Sequence, residues 1–390
     1  MSYDARQPTD HEAAPGLRTP EDLVAAVPYL LGFHPADSLV LVSTRTAGQP
    51  GVEFTLRVDL PPPELVTEMA RELAGVVLAQ RCDELLLVVV GGAVSSGEPG
   101  SGPREIPRSG PRSGSTFRRG RIPEQRPRPA PGPPRAEVVL AVTRACAEVG
   151  VLARAAIWVA EFAAGTPWRC YGSCGCVGAL PDPACSPVAT ASVLAGQVTY
   201  ADRAELERVV APAAEHVLLR RTELLNARLD ELTDGCDREP MPPVTAELVA
   251  ALEHWIDVAS AGPPQLGDED VVRLCLALAD PLVRDAAFGS AYDARAEGAE
   301  RLWTALVTGS PDPEAAESAV LLAHSALIRG DGALAGIALD RAQRAWPGHR
   351  LSAMIRSALD AGLGPDQLRD WFVDGSQRAI ELLDRRLDRG

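Results

Sequence analysis

Hydrophobic and polar positions change period several times along the chain, and each change marks an element. The densest pattern lies in residues 17–61. Thr19-Pro20-Glu21-Asp22 has the form of a helix start, with Thr19 as N-cap, Pro20 at the first helical position and Asp22 in the place of the capping-box acid. Leu23, Val27, Leu30 and Leu31 then share one helical face; Pro28 kinks or interrupts the helix, and Gly32 can end it. The loop Phe33-His34-Pro35-Ala36-Asp37-Ser38 leads to Leu39-Val40-Leu41-Val42, apolar on both faces as in a strand buried on both sides. After a turn region at 47–51, Phe54, Leu56, Val58 and Leu60 alternate with Glu53, Thr55, Arg57 and Asp59. That alternation predicts a half-buried strand with one polar face.

Residues 64–80 return to helical period, with Leu65, Met69, Leu73 and Val76 on one face, and 84–90 form a second wholly apolar strand ending at Gly91-Gly92. An amphipathic helix is predicted over 137–149, through Val138, Val142, Ala145 and Val149, and a strand over 155–159. Two helix-to-strand units on apolar strands predict an α/β layer with a mixed sheet. Beyond residue 200 strand signals vanish. Helices are predicted at 202–210, 213–232, 245–259, 269–279, 294–308, 314–329, 333–345, 350–361, 365–373 and 376–388, separated by breakers such as Pro242-Pro243 and Gly262-Pro263-Pro264. Residues 316–349 fit a tetratricopeptide-like spacing: Leu322, Ala323 and Ala326 line one helix, Ala335, Leu339 and Ala342 the next, and Pro347 closes the unit. The expected fold is therefore an N-terminal mixed-sheet α/β domain, 17–200, followed by an all-helical domain, 201–390, with tetratricopeptide-like helical hairpins.

Two stretches fall outside this pattern. Residues 1–16 are polar and expected to be a disordered tail. Residues 93–135 hold ten prolines, seven glycines, nine arginines and three glutamates, with almost no large apolar residue. Such a segment cannot bury enough surface to offset its ordering entropy, which predicts a disordered insertion. Its charge of +6 allows a basic tether or a fold-back onto the acidic remainder, but a solvated linker accounts for it as well.

Charge narrows the function. The chain carries −15 overall, which argues against general nucleic-acid binding. It contains no lysine; all 38 basic residues are arginine. A Walker A loop, a kinase strand lysine, a pyridoxal Schiff base and a Ser-x-x-Lys pair are thereby excluded. No apolar run approaches the roughly 20 residues of a membrane span. Met1-Ser2-Tyr3-Asp4 shows no secretory pattern, so a cytoplasmic location with reduced cysteines is expected.

Candidate chemistry is sparse. Cys170, Cys174, Cys176 and Cys185 crowd together, as thiolates around zinc do, but C-x₃-C-x-C-x₈-C lacks the paired C-x₂-C knuckles of a zinc ribbon. A Gly/Pro-rich loop with incidental thiols is the simpler reading, with redox chemistry as a third. No metal and no cofactor is expected. Arg57 and Asp59 share one strand face and suit either an anion grip or, more simply, a structural pair; His34 can join them. Asp268-Glu269-Asp270 is explained by the positive end of a helix dipole, and Arg284-Asp285 by local pairing. Gly91-Gly92 lacks the following helix of a phosphate loop.

Residues 28–42, PYLLGFHPADSLVLV, together with Leu56-Arg57-Val58-Asp59-Leu60-Pro61, resemble the actinobacterial family known as domain of unknown function 4192. Trp168, Tyr171, Cys176 and the run 181–186 are similar too, as are Arg284-Asp285, the run 330–335 and Pro347-Gly348-His349. The resemblance spans most of 17–362, leaves out 93–135, and brings no activity, cofactor or catalytic residue with it. In that family's pattern Cys176 recurs more readily than the other three cysteines, which weakens the zinc reading. The sequence favours a non-enzymatic binding, scaffold or regulatory protein with a protein partner on its helical domain. The alternative is an enzyme with its site at the sheet edge near Arg57, Asp59 and the 168–176 loop.

Overall fold

Thr19 caps the first helix as its sequence requires. Its hydroxyl accepts the Asp22 N–H while the Asp22 carboxylate accepts the Thr19 N–H. The computed structural model describes residues 4–6, 19–44, 52–80, 82, 84–92, 132–194, 197–233, 242–360 and 365–388. The turn read at 47–51 and most of the insertion, 93–131, lie outside them.

The order begins β1 (Asp4–Arg6), α1 (Pro20–Leu31), β2 (Ser38–Thr44), β3 (Val52–Asp59), α2 (Val66–Ala79), β4 (Glu84–Val90), α3 (Ala136–Glu148), β5 (Leu152–Val159), β6 (Pro167–Cys170), β7 (Val177–Ala179) and α4 (Pro187–Leu194). Helix α1 runs through Pro28 and ends at Gly32 in the left-handed region. One mixed sheet has the order β1-β3-β2-β4-β5-β6-β7; among the described strands only β4 and β5 pair in parallel. Strand β2 lies antiparallel between β3 and β4, so the α2 crossover passes over it. Within the stretch expected to be a tail, β1 pairs with β3, and the rest of that stretch lies outside the described residues. Strands β6 and β7 fall where the sequence predicts a Gly/Pro-rich loop.

The two sheet faces feed different clusters. Leu39, Leu41, Leu56, Leu85 and Leu87 pack under α2 and α3. On the other face, Val40, Val42, Val88, Val90, Ile157 and Val159 join a cluster that continues past residue 200 into the helical half. A parallel bridge from Phe33 to Tyr200 ties the two halves at the crossing, with Tyr200 N–H bonded to the Gly32 carbonyl at 2.8 Å.

The helices that follow are α5 (Arg203–Arg208), α6 (Glu215–Thr233), α7 (Pro242–Ala261), α8 (Asp268–Ala279), α9 (Pro281–Ala287), α10 (Ala296–Gly309), α11 (Ala315–Ile328), α12 (Gly332–Ala345), α13 (Arg350–Asp360) and α14 (Pro365–Leu387). The hairpin read at 316–349 is α11–α12, with Leu322, Ala323, Ala326, Ala335, Leu339 and Ala342 all fully buried. Helix α11 is apolar almost all round and buried from Ala315 to Leu327, as a helix packed on several sides must be. Its small residues let α10 and α12 approach closely. Helix α9 was not anticipated, and α14 is one helix where two were expected. Among the described residues no helix is long and apolar enough to cross a membrane.

Candidate functional site

The groups proposed for a sheet-edge site are not assembled there. Arg57 and Asp59 sit on β3, whereas Trp168 and Cys170 sit on β6. Four strand spacings separate β3 from β6, about 19 Å in all. Arg57 is buried and spends its guanidinium within the sheet, donating from Nε to Ser38 Oγ at 2.8 Å and from Nη2 to Asp59 Oδ1 at 2.5 Å. His34 lies half-buried, its backbone N–H bonded to the Tyr200 carbonyl at 3.1 Å, and burial lowers its pKa.

At the carboxyl ends of β4 and β5 the polar side chains hold backbone instead of facing a cleft. Trp158 Nε1 donates to the Gly91 carbonyl at 2.7 Å, the Gly92 N–H donates to Asp37 Oδ1 at 2.9 Å, and the Tyr171 hydroxyl donates to the Pro134 carbonyl at 2.5 Å. Arg135 donates from Nη2 to the Pro61 carbonyl and from Nε to Glu137 at 2.8 Å. Gly91 and Gly92 both adopt positive φ, and a Cβ on Gly92 would lie 2.8 Å from Arg135 Cγ. The two ends of the insertion therefore meet, with Pro134 and Arg135 held by these hydrogen bonds.

The 168–176 loop is the β6–β7 hairpin. Trp168 lies across Gly178, where an added Cβ would come within 2.6 Å of the indole. Cys170, Cys174 and Cys176 gather at the tip, and Cys185 stands apart beside Asp182. Among the described residues no group of three His, Cys, Asp or Glu is placed to hold a metal ion. Asp268, Glu269 and Asp270 open α8. Arg220 and Arg221 bind Asp268 at 2.5 and 2.8 Å and hold its carboxyl down at about 2.

A site that periodicity does not reveal opens in the helical half. Helix α14 runs antiparallel to α9: Arg386 pairs with Asp280 at the start of α9, while Ser376 passes Gly289 beyond its end. Helix α13 completes a groove of about 180 Å³. Phe288, Ile355, Leu368 and Phe372 form its buried apolar lining, and Met354 and Trp371, 51% and 58% exposed, stand at its mouth. Behind the aromatic floor His324 lies against Phe372 and Phe288, with Nε2 2.7 Å from the Tyr292 hydroxyl. Burial holds its pKa down at about 3.

A polar network fixes the walls. Arg284 of α9 pairs locally with Asp285, as expected, at 2.8 Å, and reaches on to Glu317 of α11 at 3.3 Å. His349, just before α13, places Nε2 3.4 Å from Glu317 Oε2, an oxygen that Arg284 also reaches, and accepts the Ser352 N–H at Nδ1. Burial alone would lower the Arg284 pKa, but the Glu317 and Asp285 carboxylates raise it. Two of the segments that carry the family resemblance, Arg284-Asp285 and Pro347-Gly348-His349, thus meet at one carboxylate. That pairing was the one signal in the sequence that pointed here. A shallower depression of about 550 Å³ lies between α7 and α8, lined by Leu248, His254, Trp255 and Arg273 among others.

A mixed sheet with its two crossover helices on one face, continuous through its other face with a helical array that opens an apolar groove, defines an α/β protein with a helical second half. The chain belongs to the family described as domain of unknown function (DUF4192), whose model matches residues 20–366. No curated protein and no solved structure matches the chain.

Proposed function

We propose that this is a cytoplasmic, non-enzymatic binding protein that holds a protein partner by one large apolar side chain seated in the α9–α13–α14 groove. The observation that carries the reading is the groove's size and lining. Small-molecule sites commonly measure about 300–1,000 Å³, whereas this groove, at about 180 Å³, suits a single Leu, Phe or Trp side chain. Met354 and Trp371 at the mouth are adaptable and rigid apolar contacts respectively, the residue types that hold anchors at protein interfaces. Asp285 lines one end, and the chain's net charge is −15, so the fitting partner segment carries an arginine or lysine beside its apolar anchor.

The test places a photo-crosslinking residue at Met354 in the full chain, in its native cell, and sequences the crosslinked peptide. That peptide, synthesised, is then titrated against the tryptophan emission of the chain, with Trp371→Phe assigning the change to the groove. The expected result is an apolar residue flanked by a basic one, with affinity falling about tenfold or more in Met354→Glu. A peptide without an apolar anchor, binding unaffected by Met354→Glu, or no crosslinked protein at all would overturn the proposal.

A further inference from the structure

The tip of the β6–β7 hairpin, which shares no residue with the groove, brings thiols together in a way the sequence spacing only hints at. Gly175 adopts a φ of +62°, a left-handed conformation that suits glycine, and this turn faces Cys174 and Cys176 toward each other. The Cys176 thiol donates to Cys174 Sγ at 2.7 Å, and the Cys176 N–H points at the same sulfur at 3.4 Å. Cys170 stands in the same tip, where the Gly172 N–H lies 3.2 Å from its Sγ. Cys174 and Cys176 are exposed and Cys170 half-exposed.

We propose that Cys174 and Cys176 form a thiol–disulfide exchange site, with Cys174 as the attacking thiolate and Cys176 as the resolving thiol, whose substrate is a low-molecular-weight disulfide. The thiol and the backbone N–H of Cys176 both donate to the Cys174 sulfur and lower its pKa, while donating its thiol to Cys174 raises that of Cys176. A disulfide of about 2.05 Å requires only a sub-ångström approach of the two sulfurs from their present separation.

The exchange balances in two steps. The Cys174 thiolate attacks one sulfur of the disulfide RSSR, forming Cys174–S–S–R and releasing one RS⁻. Cys176 then loses its proton to solvent, and its thiolate attacks Cys174 Sγ, breaking the mixed disulfide and releasing the second RS⁻. Two cysteine thiols are oxidised, one disulfide is reduced to two thiols, and the two cysteine protons end on the released thiolates.

Three other cysteines serve as internal comparisons. Cys146 and Cys275 are buried, and burial raises each thiol to about 11, which keeps them inert. Cys185 is exposed, but its neighbour is the Asp182 carboxylate at 3.8 Å. It reports the reactivity of an exposed cysteine without thiol neighbours.

The test uses the full chain in reduced and oxidised glutathione at graded ratios, with disulfides assigned by peptide mass. Reversible formation of a Cys174–Cys176 disulfide is expected. Under reducing conditions at pH 7, Cys174 should alkylate about tenfold faster than Cys185. Cys176→Ser should instead accumulate the Cys174–glutathione mixed disulfide, because Cys174 can still attack but the resolving thiol is gone. Equal alkylation rates at Cys174 and Cys185, or oxidation that joins Cys170 to Cys174 instead, would overturn the assignment.

Discussion

Arg57 and Asp59 stand two residues apart on β3, and Arg57 donates to Asp59 from Nη2 across 2.5 Å although its partner is 74% exposed at the side chain. The asymmetry of burial decides what each contributes. Arg57→Ala removes a buried group that also holds Ser38 and should cost about 2 kcal/mol. Asp59→Ala loses only a solvent-screened pair, about 0.5 kcal/mol. The double variant should fall slightly short of the sum in urea unfolding; a coupling above about 2 kcal/mol would mean that water is excluded from the pair.

Glu317 joins α9, α11 and the start of α13 through Arg284 and His349. Glu317→Gln leaves the Arg284 guanidinium with the Asp285 carboxylate alone and should cost about 2 kcal/mol. The same change should weaken partner binding, because the network sets the groove walls. Urea unfolding and the peptide titration report these effects separately.

His324 makes the helical half sensitive to acid. Its folded-state pKa of about 3 lies below the ordinary 6.5, so between those values the unfolded chain binds more protons than the folded one. Its contribution is therefore whole above pH 6.5 and declines as pH falls toward 3, by at most about 1.4 kcal/mol per pH unit. His324→Gln, which can still bond the Tyr292 hydroxyl, should flatten the decline in unfolding free energy over that interval. An unchanged slope would assign the acid sensitivity elsewhere.

Deleting residues 95–133 should shift Tm by no more than about 3 °C. Gly92 and Arg135 are already in contact, and the Tyr171 and Arg135 hydrogen bonds that fix the far end lie outside the deletion. A loss of cooperative unfolding on deletion would show that the removed stretch contributes to the core.

Elements were legible wherever one residue pattern had one physical outcome. Thr19 with Asp22 could only cap a helix, and residues 39–42 and 84–90 were apolar enough to be central strands. Residues 167–170 and 177–179 were not legible as strands: Trp168, Cys170 and Gly178 show no alternation, and the hairpin depends on Trp168 packing over a glycine. Separate helices were expected over 365–373 and 376–388, yet α14 passes straight through Gly375, because the contacts of Phe372 and Ser376 with Phe288 and Gly289 outweigh the roughly 1 kcal/mol penalty of one glycine. The groove was invisible for a different reason. Phe288, Ile355 and Trp371 belong to separate helices, and no local pattern encodes which helices meet.

The cluster that passes from Val88 and Ile157 to residues of α11 and α12 also bears on how the chain emerges from the ribosome. The sheet strands are all synthesised before residue 180, but residues that share their inner cluster arrive only with Leu322 and Leu339. For that interval an apolar sheet face awaits part of its cover, a state open to misassociation and to chaperone capture. A nascent chain stalled near residue 200 should therefore be more protease-sensitive than the finished protein, and its resistance should appear only once α12 has cleared the exit tunnel.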